Sequence, residues 1–173
     1  MRPRVAAMSL AILAGAPHAA FASSTVPLFT IAKSQNKNLV AYAIRVDDHC
    51  VPDGNAPVFA YWRMLEDGPS RTAPLLPREQ APYGLASQVV TARAGNGGRA
   101  RIVLRALPNR PIDIETQRGA DGACLAVPTA TISGAPARLF NVYVRLWLFG
   151  VRYILIRGWS MDGSHVVTEK LKR

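Results

Sequence analysis

Cysteine, histidine and acid are all scarce in this chain. Its 173 residues include two cysteines, three histidines and 11 acidic side chains, against 21 lysines and arginines. The cysteines, Cys50 and Cys124, sit in no Cys-x-x-Cys or Cys-x-x-His cluster, so neither a zinc module nor a dithiol redox motif has a sequence basis. No GxGxxG or Walker-type glycine loop occurs, so a nucleotide cofactor has no support, and no other cofactor is expected. Helix-turn-helix, RNP-like and zinc-finger patterns are missing too, which removes the usual routes to nucleic acid despite the basic charge. Convincing helix periodicity with caps is absent from every window of about 12 residues. A hydrophobic run long enough to span a bilayer is also lacking.

The start of the chain carries a shorter apolar run. Arg2 and Arg4 precede an apolar stretch from Val5 to Gly15, and Ala20-Phe21-Ala22 forms a small-x-small signal. That order of positive, apolar and small residues is expected to be a secretory signal peptide over 1–22, cleaved after Ala22. The single domain would then be 23–173. Without Arg2 and Arg4 the 21 basic side chains become 19 against 11 acids, a formal net of +8. A basic exported domain, periplasmic or secreted, would meet anionic envelope components such as lipopolysaccharide, phospholipid headgroups or acidic polysaccharide, with salt-sensitive attraction. In an oxidising compartment Cys50 and Cys124 are expected to form a disulfide. No transmembrane segment is expected after residue 22.

What remains reads as strands. Leu28 to Lys33 and Leu39 to Val46 are separated by the polar turn Ser34-Gln35-Asn36-Lys37-Asn38. The segment PVFAYWRML, 57–65, is apolar on both alternating faces, as a covered strand would be. A proline-rich loop follows from Glu66 to Pro82, with room for one helical turn near Arg78-Glu79-Gln80. Ala86 to Ala94 and Arg99 to Leu107 flank Asn96-Gly97, a strong hairpin signal. Pairing 94 with 99 would place Val90, Ala92, Arg99, Arg101, Val103 and Arg105 on a solvent face, and Val89, Thr91, Ile102 and Leu104 on the core face. Ile112 to Gln117, Arg138 to Leu148, Val151 to Arg157 and His165 to Leu171 complete the set. Eight or nine strands with little helix imply an all-β fold, an antiparallel β-sandwich, with a closed β-barrel as the alternative.

Several groups bear on chemistry. Gly158-Trp159-Ser160-Met161-Asp162-Gly163 lacks the glycine that a serine elbow needs two residues after the serine, and reads as a hairpin turn. Asp47-Asp48-His49-Cys50, with Asp53, matches neither an EF-hand nor a zinc spacing and reads as a solvated acidic loop; no metal site is expected. Arg99, Arg101 and Arg105 form an arginine stripe suited to phosphate or carboxylate, or simply to water.

Three segments, LFTIAKSQNKNLVAYAI at 28–44, PVFAYW at 57–62 and REQAPYGL at 78–85, resemble in order and spacing a family of exported bacterial proteins, domain of unknown function 4833. The matching residues include Ser34, Asn36, Asn38 and Tyr42, then Pro57, Tyr61 and Trp62, then Glu79, Tyr83 and Gly84. The family has Arg where Lys33 stands. The resemblance implies a compact, β-rich exported domain and brings no activity. Its polar residues suit a structural network, with Glu79 pairing Lys33 or Arg63 and Gly84 making a tight bend. The structural network is the leading reading; as its alternative, Tyr61, Trp62, Arg63, Glu79, Tyr83, Asn36 and Asn38 would serve as the lining of a binding pocket. The functional expectation is a non-enzymatic binding or structural module of the envelope. The alternative is a small periplasmic hydrolase acting on an envelope polymer, which needs Glu79, Tyr61, Arg63 or His49 to converge.

Overall fold

A computed structural model describes residues 23–68, 71–92, 97–148 and 150–172. The expected leader and the tip of the Asn96 turn lie outside them. The strands are β1 (Ser24–Lys33), β2 (Leu39–Val46), β3 (Val58–Arg63), β4 (Thr72–Pro74), β5 (Leu85–Ala92), β6 (Gly98–Leu104), β7 (Pro111–Arg118), β8 (Cys124–Ile132), β9 (Ala135–Trp147), β10 (Gly150–Ser160) and β11 (Val166–Lys172). Between β4 and β5 a 3-10 turn, Pro77–Glu79, runs into the single-turn helix α1 (Gln80–Tyr83), where the helical turn was expected. Among the described residues no helix is long and apolar enough to cross a membrane.

The fold is all-β, but the two separate sheets of a sandwich are replaced by one hydrogen-bonded sheet in the order β4-β3-β2-β1-β9-β8-β7-β6-β5, with β10 and β11 on the other edge of β9. Among the described residues eleven strands take part, and the ends do not join, so the barrel alternative is also corrected. The sheet is mixed: β1 and β9 are parallel, whereas the other ladders are antiparallel.

Strand β9 explains this architecture. Its first part pairs with β8 through Arg138, and from Asn141 onward it pairs with β1. On its far edge Arg157 faces Asn141 and the next residue, Gly158, faces Leu139, so Phe140 is an extra residue. Such a bulge bends a strand and turns its side chains. Ala137 and Leu139 are buried before it and Val142 after it, so the inward parity changes from odd to even. One strand therefore supports two arms, β1 to β4 and β5 to β8.

Both arms share one core. Val40, Tyr42 and Ile44 of β2, Ile102 and Leu104 of β6, Ile114 of β7, and Ile154 and Ile156 of β10 belong to the same buried cluster. Each such aliphatic side chain contributes roughly 1.5–3 kcal/mol by leaving water. Covalent and polar links bind the arms as well. Cys50, in the β2–β3 loop, is disulfide-bonded to Cys124 at the start of β8, with Cα atoms 5.3 Å apart and a sequence separation of 74. Gln88 of β5 accepts from the Val58 amide through Oε1 at 3.2 Å. A Cβ on Gly98 would lie 2.4 Å from Pro52 Cδ, so glycine lets the β2–β3 loop close onto β6.

The β5–β6 register differs from the expected one. Ala92 pairs with Gly98 and Val90 with Ala100. Val89 and Thr91 are therefore exposed beside Arg101 and Arg99, while the inward positions of β5 include Val90. The core fixes β6 through Ala100, Ile102 and Leu104, and an odd shift in register moves all of β5 to its other face.

Candidate functional site

The densest convergence of sequence-selected residues surrounds Trp62. Alternation along β3 turns Val58 and Trp62 inward, and Trp62 is only 8% exposed. Its indole Nε1 donates to Glu79 Oε2 at 2.8 Å. The same oxygen accepts the Leu76 amide at 2.8 Å, which holds the start of the 3-10 turn. Lys33 Nζ lies 4.5 Å from the centre of the Trp62 ring and 5.7 Å from that of Tyr83. Tyr83 meets Trp62 edge-on at 5.7 Å, and its carbonyl accepts from Tyr42 Oη at 2.6 Å. Tyr42 stacks on Phe29 at 4.5 Å, so a stacked pair and one hydrogen bond link β1 to α1. The bend after Tyr83 requires glycine, because a Cβ on Gly84 would lie 2.4 Å from the Gln80 carbonyl oxygen.

A cavity of about 370 Å³ opens beside this cluster, lined by Lys33, Asn36, Asn38, Trp62, Met64, Ala73, Pro74, Leu76 and Glu79. Asn38 Oδ1 accepts the Glu66 amide at 3.2 Å. Asn36 Oδ1 is buried with no hydrogen-bond partner among the described residues, a condition that costs about 1–3 kcal/mol. Burial works against ionisation of Glu79, but its bonds from Trp62 and Leu76, with Arg78 and Lys33 nearby, outweigh that and hold its carboxyl below the usual range. Burial pushes the Tyr42 phenol well up, and Tyr83 adds to it. Burial, then the Glu79 charge, raises Tyr83. Around neutral pH this site holds a carboxylate acceptor and two un-ionised phenols.

Of the expected pocket residues, Glu79, Asn36 and Asn38 line this cavity, and Tyr83 touches Trp62 behind it. Tyr61 and Arg63 lie on the opposite face of β3, where Tyr61 packs against Phe59 at 5.8 Å. The expected Glu79 ion pair with Lys33 or Arg63 is replaced by the bonds to Trp62 and Leu76. Trp62, which the sequence offers as an aromatic wall of the pocket, does line it. Lys33 lines it too, although the sequence suggests it only as an ion-pair partner of Glu79; its place beside the Ser34–Asn38 turn is the available signal.

The other candidates are dispersed. His49 is exposed, 3.6 Å from Asp48. Asp47 Oδ1 accepts the His49 and Val51 amides, so the acidic loop is a turn device. Among the described residues no group of three His, Cys, Asp or Glu is placed to hold a metal. Arg99 and Arg101 face solvent but pair with acids of β7, Arg99 with Glu115 at 2.5 Å and Arg101 with Asp113 at 2.6 Å. Arg105 follows β6 and donates from Nε to the Leu85 carbonyl at 3.2 Å. At the exposed β10–β11 turn, the Ser160 hydroxyl, the Ser164 amide and hydroxyl, and neighbouring His165 hold the Asp162 carboxyl at about 2. Ser164 Oγ lies 2.9 Å from His165 Nδ1 and also donates to Asp162. A hydrolytic relay needs the acid to orient the imidazole; here serine contacts both.

The outer face of β9, β10 and β11 has a different character. Ile154, Ile156 and Gly158 turn inward, so Tyr153, Leu155, Arg157 and Trp159 turn outward. Their ladder partners are Arg145, Tyr143, Asn141 and Arg138 on β9, and Lys172, Lys170, Thr168 and Val166 on β11. Directly opposed residues share a face. No acid occurs from Ala135 to Ser160. Glu169, the acid of β11, opposes Ile156 on the other face and binds Arg110 through two bonds of 2.6 and 2.7 Å.

The family model of a domain of unknown function (DUF4833) matches residues 29–170, and the chain belongs to that family. No curated protein and no solved structure matches it.

Proposed function

We propose that this DUF4833 protein is an exported, non-enzymatic domain of the bacterial envelope that docks on anionic components through the outer face of β9–β11. The observation that carries this reading is the acid-free run from Ala135 to Ser160, in which Arg138, Arg145 and Arg157 stand on one face among Tyr143, Tyr153, Leu155 and Trp159. Such a face attracts anions at long range and offers apolar area on contact. The two arginines of β6 fit that role less well, since Glu115 and Asp113 pair with them. The disulfide suits an oxidising compartment. In this reading the Trp62 cluster serves the fold. The hydrolase alternative loses its residues: Glu79 is held ionised inside the cavity, Tyr61 and Arg63 face away, and His49 stands in a distant loop. Chromatography on heparin and on immobilised lipopolysaccharide tests the proposal. Arg138→Ala with Arg157→Ala is expected to elute at clearly lower salt than the parent, and Arg99→Ala with Arg101→Ala close to it. Failure of the parent to bind at low salt, or a larger shift from the Arg99/Arg101 pair, would overturn it.

A further inference from the structure

The β9–β10 hairpin ends in side chains that the other described residues leave largely uncovered. Trp147 is 57% exposed and Leu148 84% exposed. The last ladder pair is Trp147 with Gly150, so both residues stand at the turn itself. Gly150 has φ +127°, a conformation that glycine takes readily and a side chain resists. Arg152 lies with its guanidinium 5.4 Å from the Trp147 ring centre. Trp147, Gly150, Val151 and Arg152 line an open depression of about 350 Å³. One step back along the ladder, Tyr153 faces Arg145 and Lys172, and Lys170 Nζ lies 4.4 Å from its ring.

We infer that this hairpin tip inserts into the headgroup layer of an anionic phospholipid bilayer, with Leu148 leading, Trp147 at the interface and the cations behind them on lipid phosphates. The inference rests on the envelope reading above and names lipid as the surface met at the tip. Its argument is the order of chemistry along the hairpin. Among the described residues Leu148 comes first, then a tryptophan with its polar N–H, then Arg145, Arg152, Lys170 and Lys172. That sequence matches the one met on entering a lipid leaflet in reverse, from hydrocarbon through interface to phosphate. Tryptophan favours this depth because its ring is apolar and its edge is wet. Arginine stems cover apolar surface while their guanidinium groups reach phosphate. Each cation near a negative leaflet adds attraction that falls away within a Debye length. A protein partner with a hydrophobic pocket would also cover Leu148, but it would not call for cations without intervening acid on both strands of the hairpin.

The test uses the disulfide-bonded protein and vesicles of phosphatidylglycerol or of phosphatidylcholine alone. The parent is expected to sediment with phosphatidylglycerol vesicles at low salt and to have its tryptophan emission quenched by lipids brominated on the acyl chain. Trp147→Phe should keep binding and lose most of that quenching, because Trp62 is buried and Trp159 stands at the far end of β10. Trp147→Ser with Leu148→Ser should weaken vesicle binding about tenfold or more, given the burial of two large apolar groups, while near-ultraviolet circular dichroism shows the fold intact. Unchanged binding by the double variant would overturn the inference. So would vesicle binding without acyl-chain quenching, or parent self-association that the double variant abolishes while vesicle binding persists. Retention on heparin with no vesicle binding would overturn the tip inference and leave the envelope reading standing; loss of both would end both.

Discussion

Trp62 and Trp147 each carry a cation against the indole, Lys33 Nζ at 4.5 Å in one case and the Arg152 guanidinium at 5.4 Å in the other. Around Trp62 the remaining groups complete the enclosure: the N–H has a carboxylate, one edge meets Tyr83, and the ring is almost wholly covered. Around Trp147 no described residue completes it, and more than half of the residue's surface meets water. One motif thus serves two ends, and the surroundings decide which. A cation on an enclosed aromatic closes a local network. The same pair on a hairpin tip, with no nearby acid on its strands, presents both charge and apolar area to whatever approaches.

That contrast predicts opposite responses to substitution. Trp62→Ala should cost about 3–5 kcal/mol, because it empties a well-packed site and strips Glu79 of a donor; a guanidinium unfolding series measures it, and a loss under about 1 kcal/mol would mean that the pocket is already loose. Glu79→Gln should cost about 1 kcal/mol at neutral pH, since the charged acceptor is the stronger one. Its pH dependence follows from the lowered folded-state titration. The carboxylate's contribution is complete above the unfolded value of about 4.3 and disappears as pH falls through the lower folded value. Parent and variant should therefore converge in stability in acid; a gap that persists there would assign the effect to packing. Smallest of all, Trp147→Ser with Leu148→Ser should change unfolding stability by no more than about 0.5 kcal/mol. A larger loss would mean that the tip packs on the fold after all.

Much of the strand order was legible, and the departures have physical causes. β2 falls at Leu39–Val46 as its alternation predicts, and the helical turn falls at the Glu79 region. β4 hid behind Pro74, which an edge strand tolerates. β8 hid behind Pro128, which sits one residue before Thr129, where the ladder to β9 begins. The β5 register could not be read from Asn96-Gly97 alone, because the inward set Ala100, Ile102 and Leu104 and the Gly98–Pro52 contact override the turn. The parallel β1–β9 pairing left no local trace, and without it the chain reads as two sheets. At the Trp62 site the polar residues stood out through their types, whereas the role of Lys33 needed the third dimension. The exposed tip was hidden within an apolar-rich run that looks like core until its neighbours are placed.

The β1–β9 pairing also sets a timetable. Asn141 Nδ2 donates to Thr30 Oγ1 at 3.2 Å across 111 residues of sequence, so the joint between the two arms cannot form until most of the chain is available. Contacts of such long range slow folding. For a chain delivered from its N-terminus, β1 waits with one edge open through that interval, a template for pairing with other molecules. The interval before β9 arrives is therefore the period in which that open edge faces the wrong partner.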